Sequence, residues 1–252
     1  MSAFKKDLKA DPLKIVKKVS LVNEFSIAFE MIDNKVNEQQ IPVIVSFINA
    51  HAYNLMHTDA EFYESLLASD FIFRDGKGME LLYRSIGIDA GKNLCGTDFI
   101  PFMLAGFPKS RISIMGTNEE ILSKAAEEIK KEGMNVIASA NGFLPVDDYL
   151  KIALSAQPFI ILLGMGMPKQ EKVAAYLKKH ISFPCIIING GAIVDHYGKK
   201  VKRAPKWLRE LGGEWLFRLL TEPRRLFKRY VIGNWIFLRH IKSIKKRILN
   251  VS

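Results

Sequence analysis

Cysteine is almost missing from this chain: Cys95 and Cys185 are the only two in 252 residues. Both sit in apolar surroundings, without Cys-x-x-Cys or Cys/His spacing. That argues against a disulfide framework or a structural zinc site and fits a reducing compartment. No stretch approaches the roughly 18 apolar residues a membrane-spanning helix needs. The opening MSAFKKDLKADPLKIVKK has lysines but no apolar segment behind them, so no secretory signal is expected. Also absent are the Gly-x-Ser-x-Gly elbow of serine hydrolases, a Walker loop and the Gly-x-Gly-x-x-Gly dinucleotide fingerprint. No Asp-x-Asp pair stands ready to hold a divalent ion on a nucleotide-sugar, and no His/Cys cluster suggests a metal. The expectation is therefore no metal and no cofactor.

Acidic residues are scarce at one end only. From Lys199 to Ser252 there are 16 Lys and Arg against 3 Asp and Glu, a net of +13, while the preceding 198 residues carry a net of −2. A near-neutral body thus carries a strongly basic tail, which calls for an anionic partner: a membrane surface, a nucleic acid or an acidic polymer.

With 48% hydrophobic residues, the chain can bury a sizeable core. Runs rich in β-branched residues at 41–48, 70–74, 111–115, 135–138, 159–163 and 185–188 read as strands. Helical patterns lie between them: 49–67 with a break and N-cap at Thr58-Asp59, 78–86, 118–131, 146–156 and 168–179. Alternating buried strands and helices predict a parallel sheet covered on both faces. The expected fold class is α/β, a Rossmann-like body in two halves meeting near Asn93 to Lys109. The organisation reads as a helical lead-in over 1–40, a catalytic body over 41–195 and a basic amphipathic appendage over 196–252. In that appendage Ile241, Ile244 and Ile248 recur at helical spacing among lysines, a pattern suited to lying on an anionic membrane. Trp215, Phe217, Trp235 and Phe237 are candidates for the lipid interface, although Trp215 is expected to pack on the body.

Three loops have the composition of a site. In ILLGMGMPKQEK, Gly164 and Gly166 follow a strand and Pro168 precedes a helix whose first turn holds Gln170 and Glu171. Glycine permits close backbone approach, and a helix N-terminus suits phosphate; a plain turn explains the same residues. In FIFRDGKGM, Asp75 ends a strand and Gly76 turns the chain. Asp75 is either an N-cap or a general base. In INGGAIVDHYGKK, Gly190 and Gly191 follow a strand, and Asp195 and His196 are neighbours whose side chains point apart. Asp147 and Asp148 read as helix-start charge. His51 and His57 have no metal-site spacing.

These blocks together resemble the WecG/TagA/CpsF family of bacterial glycosyltransferases. The resemblance is carried by Asn49 in FINAH, Asp75-Gly76, Gly96-Thr97-Asp98 in CGTDFIP, LLGMGMPKQEK, NGGAIVDHYGKKVKRAP and LGGEWLFRLLTEPRRLFKRY, and spans about Pro42 to Tyr230. It implies a metal-independent, inverting transferase. Such an enzyme moves a sugar from a UDP-sugar to a polyprenyl-pyrophosphate-linked saccharide at the inner face of the cell membrane, for cell-surface polysaccharide synthesis. It implies Asp75 as the base and Gln170 in substrate binding. Arg203, Arg218, Arg224 and Arg225 match the arginines of a membrane-docking appendage. Asn49, Gly76, Thr97, Asp98 and Glu171 join the expected substrate-binding set. Backbone N–H groups of Gly164 to Met167 and of Gly190-Gly191 are expected to help the arginines hold UDP. Two positions depart from the family pattern: Phe47, beside Ser46, stands where some members have Thr, and Asn93 where some have Arg.

Other readings remain open at this stage. A nucleic-acid-binding protein would explain the basic tail but not the glycine-bearing strand ends, and no nucleic acid is expected. A nicotinamide oxidoreductase lacks its glycine spacing. A non-catalytic membrane scaffold would leave Asp75 and Gln170 without a task. The aromatic tail also suits a second copy of the chain, and the transferred sugar stays open among N-acetylmannosamine, its uronic acid, glucose and other hexoses.

Overall fold

All six apolar runs form strands, and every strand pairs in parallel. The computed structural model describes residues 11–199, 203–210 and 212–249. In chain order the elements of the body are α1 (Pro12–Lys18), β1 (Val19–Ser20), α2 (Phe25–Gln39), β2 (Val43–Ile48), α3 (Ala50–Leu55), α4 (Ala60–Ala68), β3 (Phe71–Arg74), α5 (Gly76–Ser85) and α6 (Gly96–Gly106). They continue with β4 (Arg111–Gly116), α7 (Glu119–Lys131), β5 (Asn135–Ala140), α8 (Val146–Ala156), β6 (Ile160–Gly164), α9 (Lys169–His180), β7 (Ile186–Asn189) and α10 (Ile193–Tyr197). One seven-stranded sheet results, in the order β1-β3-β2-β7-β6-β4-β5. Strands β2, β3, β6 and β7 are buried along their whole length, as expected of a sheet covered on both faces. The cap read from sequence at Asp59 is in place, accepting from Phe62 N, and Asn118 caps α7 by accepting from Ile121 N.

Two features were not legible. Val19–Ser20 adds a two-residue edge strand beside β3, so residues before 41 also build the sheet. The junction expected at Asn93 to Lys109 is largely helix α6, which buries Phe99, Ile100, Met103 and Leu104. Pro101 hides this helix from a sequence reading because it has no N–H to give Thr97 O, four residues back. Arg203 Nη1 donates to that carbonyl instead, at 3.4 Å.

The outgoing connection of β4 runs to β5 and that of β6 runs the other way, to β7, so a crevice opens at the carboxyl ends of this neighbouring pair.

The appendage comprises α11 (Lys206–Glu210), α12 (Glu214–Thr221), α13 (Pro223–Phe227), a π-helical turn (Lys228–Ile232) and α14 (Gly233–Leu249). Here the sequence reading needs correcting. The apolar stripe of α14 faces protein: Phe237, Ile241 and Ile244 are buried in a cluster with Tyr53, Met56 and Met79, and Ile248 packs against it. Trp215, expected to pack on the body, is 41% exposed, and Trp235 is 60% exposed. Asn54 Nδ2 donates to Gly233 O at 2.7 Å, and the rings of His57 and His240 stack 3.9 Å apart. No described helix is long and apolar enough to cross a membrane.

Candidate active site

Asp75 stands at the carboxyl end of β3, in the N-cap position of α5, but its carboxylate does not cap that helix. It turns toward Asn49, at the end of the neighbouring strand β2, whose Nδ2 donates to Asp75 Oδ2 at 3.4 Å. Asn49 is committed to this orientation, because its Oδ1 already accepts from His51 N and Ala52 N at the start of α3. Burial pushes the Asp75 carboxyl above its ordinary range, against the hydrogen bonds of Asn49 and Cys95 and the charges of Arg229 and Arg218. A carboxylate desolvated in this way is a stronger base than a free aspartate. The turn beneath it is pinned: Asn93 Oδ1 accepts from Gly76 N at 2.6 Å, and buried Arg74 donates to Ala90 O and Gly91 O.

The appendage closes over this end of the sheet. Asp98 Oδ1, in the first turn of α6, accepts from Arg203 Nη2 at 2.9 Å and from Arg209 Nη1 at 3.2 Å. Gly212, at φ +76°, lies so close to Lys77 that a Cβ there would come within 2.4 Å of its Cγ. Gly78 is likewise pressed between Ala50 and Phe237. This close docking brings Glu214 among the charges of the site. Burial raises its carboxyl above the usual range; Arg203 and Arg218 oppose that, while Asp75 and Asp98 add to it. Burial and, after it, the Arg229 charge lower His51 to a pKa of about 4. Arg224 is exposed, and the side chain of Arg225 lies outside the described ones, as do Lys200 to Lys202.

At the β4/β6 crevice there is a cleft of about 190 Å³ lined by Thr117, Asn118, Gly142, Phe143, Gly164, Met165 and Asp195. Thr117 Oγ1 donates to Asp195 Oδ1 at 2.7 Å, so this acid is turned inward while Phe143, 79% exposed, stands at the rim. A Cβ on Gly164 would meet Val194 at 2.4 Å, which explains the glycine at that strand end. Between this cleft and Asp75 lies the loop after β6, whose Met167 packs in the cluster holding Ile48 and Phe237. From β3 to β6 is three strand spacings, about 14 Å across the sheet.

Gln170 and Glu171 do not line that cleft. Both are 1% exposed. Gln170 Oε1 accepts from Gly166 N at 3.1 Å and from Gly191 N at 3.0 Å, and Gly190 N donates to Leu163 O. Of the N–H groups expected to hold a phosphate, those of Gly166, Gly190 and Gly191 already donate within the chain. Burial raises Glu171 to a pKa of about 7.

The expected residues therefore fall into groups. Asp75, Gly76, Asn49 and Thr97 gather at the β2/β3 end, with Asp98 ion-paired to Arg203, and Gly164 edges the second cleft. Phe47 lies behind the site rather than in it, 4% exposed, its ring 6.4 Å from those of Phe73 and Phe99. Cys95, Thr117, Asp195, Glu214 and Arg229 were missed as site residues. Thr117 could have been found from its place directly after the carboxyl end of β4, where ligands bind in such sheets. Among the described residues no three His, Cys, Asp or Glu side chains gather where a metal ion could be held.

A parallel sheet whose carboxyl rim carries a desolvated acid under the charges of Arg218 and Arg229 is a framework suited to group transfer. A family model, described as the Glycosyl transferase WecG/TagA/CpsF family, matches residues 16–250, and the chain belongs to that family. It is a glycosyltransferase. It is 26% identical over 193 residues to an N-acetylglucosaminyldiphosphoundecaprenol N-acetyl-beta-D-mannosaminyltransferase of Bacillus subtilis (strain 168), covering 75% of each chain. A protein of the same description from Bacillus spizizenii is 26% identical over 194 residues, covering 73% of this chain and 74% of the relative.

Proposed function

We propose that this glycosyltransferase moves a sugar from a UDP-sugar to a saccharide linked through a diphosphate to a polyprenyl lipid, with inversion and without a metal ion. The observation that carries this reading is Asp75, a carboxylate made basic by burial and under the charges of Arg218 and Arg229. Asp75 takes the proton of an acceptor hydroxyl as that oxygen bonds to the anomeric carbon. The bond from the anomeric carbon to the diphosphate oxygen breaks, and its electron pair leaves with UDP. A single displacement inverts the anomeric centre. The leaving charge falls to the cationic side chains of the appendage, since the glycine N–H groups are engaged elsewhere.

The cleft at β4/β6 is assigned to the nucleoside, with Asp195 beside the ribose and Phe143 beside the base. The diphosphate then runs along the rim toward Asp75. A lipid-linked acceptor fits the activity for which the two Bacillus relatives are named, and it fits the outer face of the appendage. Leu220, Phe227, Val231, Trp235 and Leu238 are all exposed there, and Arg224, Lys228, Arg239 and Lys242 are exposed on the same helices. Such a face adsorbs to an anionic leaflet from the cytoplasmic side. Turnover of a panel of UDP-sugars against a GlcNAc-diphosphoryl lipid in vesicles tests the reading. One UDP-sugar, with UDP-N-acetylmannosamine the first candidate, is expected to react at a rate that EDTA leaves within about twofold. No turnover with any member of the panel would contradict it.

A further inference from the structure

One buried acid takes no part in that chemistry. Glu171 opens α9 beside Gln170 and is 1% exposed. Its Oε1 accepts from Gln170 Nε2 at 2.9 Å, while its Oε2 meets no hydrogen-bond partner. The other end of Gln170 holds two loops at once. Its Oε1 takes the N–H of Gly166, in the loop after β6, and that of Gly191, in the loop after β7. Both glycines sit at positive φ, +81° and +56°, so each N–H is aimed by a backbone conformation that other residues rarely adopt.

A side-chain amide has two orientations that exchange its oxygen and nitrogen. Flipped, Gln170 would set its NH₂ against two N–H donors and its oxygen against a carboxyl oxygen, losing every bond it makes here. An acceptor at the position of Glu171 Oε1 selects the other orientation. The two backbone N–H donors fix the oxygen end of the amide, and Glu171 Oε1 fixes its nitrogen end in the same sense.

We infer that Glu171 is a positioning residue for sugar transfer: its carboxyl keys the Gln170 amide, and the keyed amide ties the loops after β6 and β7 together along the rim assigned to the donor diphosphate. The role in transfer rests on the function proposed above; the clasp itself does not. Glu171 touches no substrate.

The test compares full-length wild type with Glu171→Leu, which removes the acceptor at similar volume, and Glu171→Gln, which restores an acceptor oxygen. Two quantities are measured: hydrogen exchange at the Gly166 and Gly191 amides by NMR, and kcat and KM for the reactive UDP-sugar. In Glu171→Leu, exchange at both amides is expected to quicken at least about tenfold and kcat to fall at least about tenfold, with acceptor KM unchanged. Glu171→Gln recovers both to within about threefold of wild type. Unchanged exchange in the Leu variant overturns the clasp, and a Gln variant as impaired as Leu overturns keying by an acceptor oxygen. Should the Leu variant not fold, Glu171→Asp, which withdraws the carboxyl by one methylene, must show the same faster exchange; normal exchange there contradicts the inference. A wild type that turns over no UDP-sugar overturns the transfer role, and exchange then decides the clasp alone.

Discussion

Raising the pH is expected to cost the wild-type protein stability that Glu171→Gln keeps. Burial raises the Glu171 carboxyl from 4.5 to about 7, with the Gln170 hydrogen bond pulling weakly the other way. Between those two values the folded protein holds a proton that the unfolded chain has released, so stability must fall as pH rises through that window. The contribution is fully present below the unfolded value and gone above the folded one. At about 1.4 kcal/mol for each unit of difference, the loss between pH 5 and pH 8 is roughly 2–3 kcal/mol. Urea unfolding of both proteins across that range reads it directly: the stability of wild type relative to the Gln variant should decline by that amount. Parallel curves would refute the claim that Glu171 is held neutral by burial.

Other perturbations address the appendage and its neighbours. Phe237→Ala empties the contact between α14 and Gly78, and the cavity is expected to cost about 3–5 kcal/mol and to quicken proteolysis of the tail; unaltered proteolysis would mean that α14 is held by other contacts. Asp98→Ala removes the acceptor shared by Arg203 and Arg209; these partly exposed pairs contribute only about 0.2–1 kcal/mol to stability, yet kcat/KM should drop on the order of tenfold as the arginines lose their anchor. Activity matching wild type would separate that anchor from catalysis. Charge reversal at Lys228 with Trp235→Glu should weaken flotation with anionic vesicles at low salt on the order of tenfold or more, each lost basic contact being worth about 1 kcal/mol, and unchanged flotation would move the lipid-facing surface elsewhere.

What the sequence disclosed follows from which forces are local. Central strands buried on both faces appear as unbroken apolar runs, so β2, β6 and β7 were legible to within a residue or two. Asn118 and Asp59 announce helix starts because capping is a contact within one turn. Asp75 was legible as a carboxylate at a strand end, whereas Asn49 was found only through the family pattern. The stripe of Phe237, Ile241 and Ile244 was read for the wrong side, because helical spacing shows that a face is apolar and not what covers it. Gln170 is a similar case. A glutamine after two glycines reads equally as a ligand for substrate or for the backbone, and only the positions of Gly166 and Gly191 decide. Asp195 and Glu214 acquire meaning from β4 and from α5, far away in the chain, and no local pattern carries that.

The central claim is that Asp75 removes the acceptor proton. Replacing it with Asn keeps the shape and the Asn49 neighbour while removing the base, so kcat with the reactive UDP-sugar and the lipid acceptor should fall about 10²- to 10⁴-fold with donor KM little changed. An Asp75→Asn enzyme that works within a few-fold of wild type would contradict the account.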